Sequence, residues 1–218
     1  VYPGATEEFF LPIIEKKGFI IGENFFLGYS PEREDPGNNK YSIFKGNIPK
    51  VVAGYTNNCK KIVKTLYSSI SKIFPVSSIK TAEFTKLLEN VYRSINIGFI
   101  NEMKLISSKM GINIHECISA AKTKPFGFQA FYPGPGLGGH CIPVDPYLLA
   151  WQSKKYGLKT KFIELSGKIN ENMPLFIIKT MLKILKEKKI SSKKLKILIL
   201  GLSYKKNSND VRESPAFK

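Results

Sequence analysis

TAEFTKLLENVYRSINIGFINEMKLISSKMG, residues 81–111, decides how the chain is organised. Phe84, Leu87, Leu88, Val91, Ile95, Phe99, Met103 and Ile106 recur at helical spacing and form one broad apolar face. Gly111 ends the run. The pattern before it is different. Residues 4–17 predict a helix with Glu7 and Glu8 early, Lys16 and Lys17 late, and Gly18 as its stop. FFLGYSPE (25–32), KVVAGY (50–55) and PVSSI (75–79) read as short strands, and residues 57–70 have helical spacing. Strands alternating with helices predict an α/β unit with a parallel sheet.

After the long helix the chain stays helical. Residues 112–123 and 145–157 predict shorter helices, with Asp145 placed to cap the second. Residues 162–189 predict another long helix, interrupted or restarted at Pro174. KILILGLSYKK (196–206) reads as a buried strand and glycine turn, which is how a new α/β domain starts. The order is therefore an α/β piece, a helical middle and the start of a second α/β piece. The first residue is Val and the last lies just past a strand-and-turn pattern, so part of a longer protein is expected.

The net charge is +17, from 34 Lys and Arg against 17 Asp and Glu. Only Arg33, Arg93 and Arg212 are arginines, and the lysines are spread along the chain. Arginine is the residue suited to bidentate phosphate and base contacts, so charge alone does not argue for nucleic acid. The densest basic stretch, residues 183–196, lies at a helix end, where lysines suit the helix dipole. A positive field serves a small anionic substrate equally well. No apolar run reaches membrane-spanning length. Three widely spaced cysteines, Cys59, Cys117 and Cys141, argue against a disulfide framework and for a reducing, cytoplasmic setting. No paired-cysteine or histidine cluster suggests a metal.

GPGLGGHCIPVDPY (134–147) is a glycine- and proline-rich loop whose backbone can approach a ligand closely. A cysteine in a core needs no such setting. Beside His140, and with Asp145 four residues on, Cys141 becomes a candidate nucleophile rather than a packed thiol. Lys86 and Asn90 stand four apart on the long helix and so share a face, although alone they read as a solvated lysine and an incidental asparagine. Glu32 and Arg33, in GYSPEREDPGN (28–38), lie at a strand end, where open α/β sheets bind ligands; the plain alternative is a charged surface turn. GLSYKKNSNDVRESP (201–215) is a second strand-end loop, and a phosphate-rich ligand would suit its Lys205, Lys206 and Arg212.

YPGATEE, GYSPEREDPGN, KTAEFTKLLENVYRSINIGFINEM, GPGLGGHCIPVDPY and GLSYKKNSNDVRESP together, in this order, resemble the UDP-glucose/GDP-mannose dehydrogenase family. SPEREDPGN and GGHC resemble the branch that oxidises UDP-N-acetylhexosamines, UDP-N-acetylglucosamine above all. The resemblance implies two Rossmann-like domains joined by a helical domain that forms a homodimer interface. Residues 1–79 would end the NAD-binding domain, 80–190 would be the helical domain, and 191–218 would start the UDP-binding domain. The family's dinucleotide fingerprint would lie upstream; GPGLGG does not link a strand to a helix and is not that fingerprint.

The implied reaction is a double oxidation of the sugar C6 alcohol to a carboxylate, with two NAD reduced and no membrane or nucleic-acid partner. The product would feed cell-surface polysaccharide. Cys141 matches the catalytic cysteine and would also border the NAD. Lys86 matches the oxyanion-stabilising lysine, Asn90 the residue that positions a water, and Asp145 the carboxylate that helps activate it. Glu32 matches a glutamate of sugar binding or thioester hydrolysis, with Arg33 beside it. Phe131, Tyr132, Gly136, Leu137, Gly138, Gly139 and His140 would line the sugar pocket. Tyr204 and Lys205 match UDP contacts, and Arg212 a position near the NAD. Val144 and Pro36 replace a lysine and a glutamate of many UDP-glucose enzymes, which weighs against UDP-glucose. UDP-N-acetylmannosamine, UDP-N-acetylgalactosamine, UDP-glucose and a non-catalytic sugar-nucleotide-binding or dimerisation fragment are the alternatives.

Overall fold

Glu7 and Glu8 start a wide π turn, Thr6–Phe10, that tightens into α1, Leu11–Lys16. Gly18, at φ +86, stops it as the sequence predicts. Three short strands follow around one helix: β1 (Gly28–Tyr29), β2 (Lys50–Gly54), α2 (Asn57–Ser68) and β3 (Ile73–Pro75). The Thr56 side chain caps α2 by accepting from the Cys59 amide. In the computed structural model, which describes residues 1–34, 41, 47–191 and 195–218, these elements and the start of α3 (Ile79–Met110) form one compact unit, Val1–Glu89. Asn90–Lys218 form the other.

In the first unit the sheet order is β1-β2-β3. β2 is buried along its whole length, and Val51 and Ala53 pack with Leu27, Ile79 and Ala82. The sheet is mixed, which corrects the expected parallel sheet: β2 and β3 run parallel, whereas β1 pairs antiparallel with β2. Of residues 25–32 only Gly28 and Tyr29 are strand, because their ladder partners are limited to Gly54 and Ala53. The third strand lies before the predicted 75–79, since Lys50–Val52 pair with Ile73–Pro75 and Ile79 already belongs to α3.

A buried glutamate ties α3 to the N-terminal loop. Glu83 is 0 % exposed, and its carboxylate accepts from the Gly4 amide (2.5 Å), the Thr6 amide (3.0 Å) and the Thr6 hydroxyl (2.6 Å). A buried carboxylate is tolerated only with such partners.

The second unit is helical: the rest of α3, then α4 (Ile114–Ala121), α5 (Asp145–Lys154) and α6 (Lys161–Glu187). Asn113 caps α4 from its side chain. Val91, Ala150 and Ile163 form one apolar cluster; Ile100, Ile114 and Ile118 form another. Burying each valine or isoleucine of these clusters contributes about 1.5–3 kcal/mol. α3 and α6 cross closely at Gly98, where a methyl group would stand 2.8 Å from Ser166 Cβ.

α6 runs unbroken through Pro174, against the predicted interruption. Pro174 has no N–H to give the Asn170 carbonyl one turn back. Gly136 packs on that carbonyl: a Cβ there would come within 2.9 Å of it. Asp145 does not cap α5 as expected; Val144 is the N-cap, Asp145 is the first helical residue, and no side chain caps the end. Residues 196–206 form no strand either. Ile197, Leu198, Ile199 and Leu200 are 58 %, 80 %, 58 % and 86 % exposed, because no described strand of this unit offers them a ladder partner. Pro36 and Asn38, and the lysines at 193 and 194, lie outside the described residues. No described helix is long and apolar enough to cross a membrane.

Candidate active site

The buried face of α3 coincides only in part with the apolar one that periodicity points to: Leu87 and Val91 are buried as expected, at 1 % and 8 % exposed. Phe84, Leu88, Phe99 and Ile106 are 44–55 % exposed, whereas Glu83, Asn90, Ser94 and Asn101 are at most 3 % exposed. These four follow spacings of seven, four and seven, so they share one side of the helix. Within the first unit Glu83 holds the N-terminal loop, and within the second Asn90 and Asn101 hold Asp145 and Gly134.

Asn90 Nδ2 donates to Asp145 Oδ2 at 2.5 Å. Asp145 in turn is set by the turn before it: its amide donates to the Cys141 carbonyl at 2.8 Å, and the Val144 amide donates to the same oxygen at 3.1 Å. Cys141 is a free, half-buried thiol. Three of the sequence candidates, Asn90, Cys141 and Asp145, are thus joined by bonds. The bond from Asn90 leaves Asp145 Oδ1 without a hydrogen-bond donor among the described residues, so it can accept from water. Asn90, read alone as incidental, is 3 % exposed and committed to this pair.

The loop ahead of Cys141 meets the C-terminal segment. A Cβ on Gly138 would lie 2.8 Å from Tyr204 Cβ, so only glycine allows this approach. The Gly139 amide donates to the Arg212 carbonyl at 2.9 Å. The Arg212 guanidinium makes a two-pronged pair with Asp210, Nε to Oδ1 and Nη2 to Oδ2, both at 2.8 Å. That hydrogen bonding holds Asp210 down to about 2, with His140 adding attraction. Asp210 likewise raises Arg212, and the Cys141 sulfur contributes to the same field. The Arg212 side chain is 60 % exposed. Burial pushes the Tyr204 phenol up, against the opposing charge of Arg93.

The remaining pocket candidates divide. Tyr132 is exposed, and Leu137 and Lys205 are half-buried. Phe131 serves packing: it stacks edge-on against Tyr92 at 5.9 Å and joins the Ile100, Ile114 and Ile118 cluster. A cavity of about 490 Å³ is bordered by Gly136, Leu137, Ile142, Tyr147, Asn170 and Pro174; neither Cys141 nor Asn90 lines it.

Glu32, Arg33 and Lys86 belong to the first unit. Glu32 accepts from the amides of Arg33 (2.7 Å) and Glu34 (2.6 Å) and pairs with Lys50 at 3.3 Å. Partial burial raises its carboxyl, but the Glu34 amide and the Lys50 ammonium outweigh burial and hold it below the ordinary value. Arg33 binds Glu89 (2.7 Å) and the Pro49 carbonyl (2.7 Å), so its guanidinium braces its own unit. Lys86 is half-buried and makes no ion pair among the described residues. No group of three or more metal-ligating side chains occurs among the described residues.

Sequence reading missed Glu83, Lys50, Asn101 and Asn170. The spacing of polar residues inside α3 carried a signal for Glu83 and Asn101. Lys50 carried none, because a lysine opening a strand gives no hint that it is 5 % exposed.

A helix-rich domain that presents a thiol, a carboxylate and a carboxamide beside a glycine loop defines a class, and residues 80–172 match the model of the UDP-glucose/GDP-mannose dehydrogenase family, central domain. Residues 80–172 therefore belong to this family as its central domain. It is 38 % identical over 217 residues to a UDP-N-acetyl-D-glucosamine 6-dehydrogenase of Pseudomonas aeruginosa, covering 98 % of this chain and 50 % of that protein. It is 36 % identical over 221 residues to a UDP-N-acetyl-D-mannosamine dehydrogenase of Pyrococcus horikoshii, covering 99 % and 50 %. The solved structure of a UDP-D-ManNAc dehydrogenase from Pyrococcus horikoshii superimposes with a TM-score of 0.87 at 33 % identity, over 100 % of this chain and 51 % of that one. The chain spans about half the length of the curated relatives it matches.

Proposed function

We propose that the protein carrying this chain is an NAD-dependent UDP-N-acetylhexosamine 6-dehydrogenase that oxidises the sugar C6 alcohol to a carboxylate. The observation that carries the reading is the bonded set Cys141–Asp145–Asn90: a thiol and a carboxylate share one turn, and a buried amide fixes the carboxylate. The Cys141 thiolate adds to the C6 aldehyde carbon and forms a thiohemiacetal, a competent hydride donor where a free aldehyde is a poor one. Loss of hydride leaves a thioester on Cys141. Asp145, with its second oxygen available, takes a proton from a water that attacks the thioester carbonyl, and the acid leaves as the thiol re-forms. Asn90 orients the carboxylate and that water. Lys86 stabilises the oxyanions, and Glu32 borders the sugar.

The exposed Arg212 guanidinium, on the residue whose carbonyl holds the Gly139 amide, fits an anionic dinucleotide, and NAD bound there would accept the two hydrides. Tyr204 and Lys205, on the segment that packs against Gly138 and Gly139, face the UDP.

UDP-N-acetylglucosamine is the preferred substrate. UDP-N-acetylmannosamine is the second reading, favoured by the relatives of that name. The protein acts in the cytoplasm and supplies precursors for cell-surface polysaccharide. It forms a homodimer through the helical unit, where Tyr92, Phe99, Phe162 and Leu165 are 48 %, 52 %, 78 % and 57 % exposed. The test is NADH formation by the full-length protein with UDP-N-acetylglucosamine, UDP-N-acetylmannosamine and UDP-glucose side by side. Fastest turnover with UDP-N-acetylglucosamine supports the reading, another hexosamine corrects the sugar, and no NADH from any of them sinks it.

A further inference from the structure

Asn101 and Asn170 are the most deeply buried amides of the second unit, at 0 % and 2 % exposed. Asn101 Nδ2 donates to Asn170 Oδ1 at 2.9 Å. Asn101 Oδ1 accepts from the Gly134 amide at 2.9 Å. Asn170 Nδ2 donates to the Ser94 carbonyl at 3.2 Å. The chain of bonds therefore runs from α3 through α6 and back to α3, with one branch reaching the first residue of the glycine loop.

Its direction is fixed by chemistry. Turning the Asn101 amide over would set its NH2 against the Gly134 N–H and its oxygen against Asn170 Oδ1, two repulsive contacts in place of two bonds. Flipping Asn170 as well would place its oxygen against the Ser94 carbonyl. Only one arrangement satisfies every group, so the relay has a single state.

The backbone of Asn170 adds a second hold on the same loop. Its carbonyl, freed of a helical donor by Pro174, is the surface on which Gly136 packs. Further along, Gly138 and Gly139 meet the C-terminal segment, and the Cys141 carbonyl is held by the start of α5. The loop that presents Cys141 is thus fixed at its origin by two asparagines that stand outside the cysteine, carboxylate and lysine set.

We infer that Asn101 and Asn170 are positioning residues: their buried amide relay anchors Gly134 and so sets where the Cys141 thiol is presented. This deepens the proposed function, since it rests on Cys141 as the nucleophile.

The experiment uses the full-length protein and two independent readouts. The first is alkylation by iodoacetamide, resolved by mass spectrometry at Cys141, with the exposed Cys117 as an internal standard. Asn101→Ala should speed alkylation at Cys141 relative to Cys117 by about fivefold, the factor that one lost hydrogen bond of ordinary strength represents. Asn101→Asp keeps both bonds with its buried carboxyl protonated, the O–H donating to Asn170 Oδ1 and the other oxygen accepting from the Gly134 amide, and in that form should stay near wild type. The second readout is turnover: Asn101→Ala should lower kcat about 10- to 100-fold with KM little changed, the effect of a displaced reacting group, and Asn101→Asp should recover most of it. If the alanine variant does not fold, Asn101→Ser, too short to reach Gly134, is read against the same thresholds.

An unchanged Cys141 to Cys117 ratio overturns the inference. So does an equal rise at both cysteines, which would mean general loosening, or equal losses in the alanine and aspartate variants. Alkylation needs no turnover. A wild-type protein that makes no NADH while the alkylation pattern holds would sink the proposed function and leave the anchoring intact.

Discussion

Replacing Glu83 by Gln tests the buried clamp of the first unit at nearly constant volume. The carboxylate takes three hydrogen bonds, two on Oε1 from Thr6 and one on Oε2 from Gly4. Glutamine keeps one oxygen for Thr6 and turns its NH2 group toward the Gly4 N–H, donor against donor. The loss is one bond to a charged acceptor, about 1.5–3 kcal/mol, together with a stranded buried N–H, about 1–3 kcal/mol. The two overlap, so about 3 kcal/mol is expected. At about 2–4 °C per kcal/mol for a chain of this size, that is a fall in Tm of about 6–12 °C. Thermal unfolding would be followed with amide exchange at Gly4 and Thr6, which should lose protection first. A glutamine variant that melts within about 2 °C of wild type, with both amides still protected, would refute the clamp.

Lys86→Ala should lower kcat by about 100-fold or more and leave UDP-sugar affinity nearly unchanged, as removal of an oxyanion donor does; an unchanged rate removes Lys86 from catalysis. Asp210 is held near 2 against an ordinary 3.8, so its pairing with Arg212 supports the folded loop above about pH 4 and is lost as pH falls through 2. Carboxyl titration by NMR should show that depressed midpoint, and one near 3.8 would mean the pair does not persist in solution. Replacing Lys183, Lys186, Lys188 and Lys189 with Gln should leave turnover unchanged, and a large loss would mean that this basic stretch reaches the substrate.

Local signals account for what was legible in the sequence. Gly18 and Gly111 end the helices they were expected to end, and both take positive φ, a conformation in which glycine alone pays no steric cost. The long helix is found at Ile79–Met110 because its apolar and polar residues both keep helical period. Which side of it faces inward was legible only in part, through the buried Leu87 and Val91. Hydrophobicity favours the side of Phe84, Leu88 and Phe99, yet the partners of Glu83, Asn90 and Asn101 are loops far along the chain. The same nonlocality moved Asp145 from a helix cap to a bond with Asn90, 55 residues away. It also left Ile197–Leu200 without the ladder that their β-branched, apolar sequence invites. Of the candidate site, the glycine loop, Cys141 and Asp145 were visible as local composition. Asn90 was visible through the resemblance and Asn101 only through its spacing from the other polar residues of α3, whereas Asn170 was not visible, since a lone asparagine in a helix carries no sign of burial.

The most direct measurement is the NADH yield per UDP-sugar consumed by the full-length protein, run beside its Cys141→Ser variant with UDP-sugar binding followed separately. Two NADH per sugar nucleotide in the wild type, with turnover lost and binding kept in the variant, is the expected result. One NADH with a free aldehyde released, or full double oxidation by the serine variant, would contradict a thioester formed on Cys141.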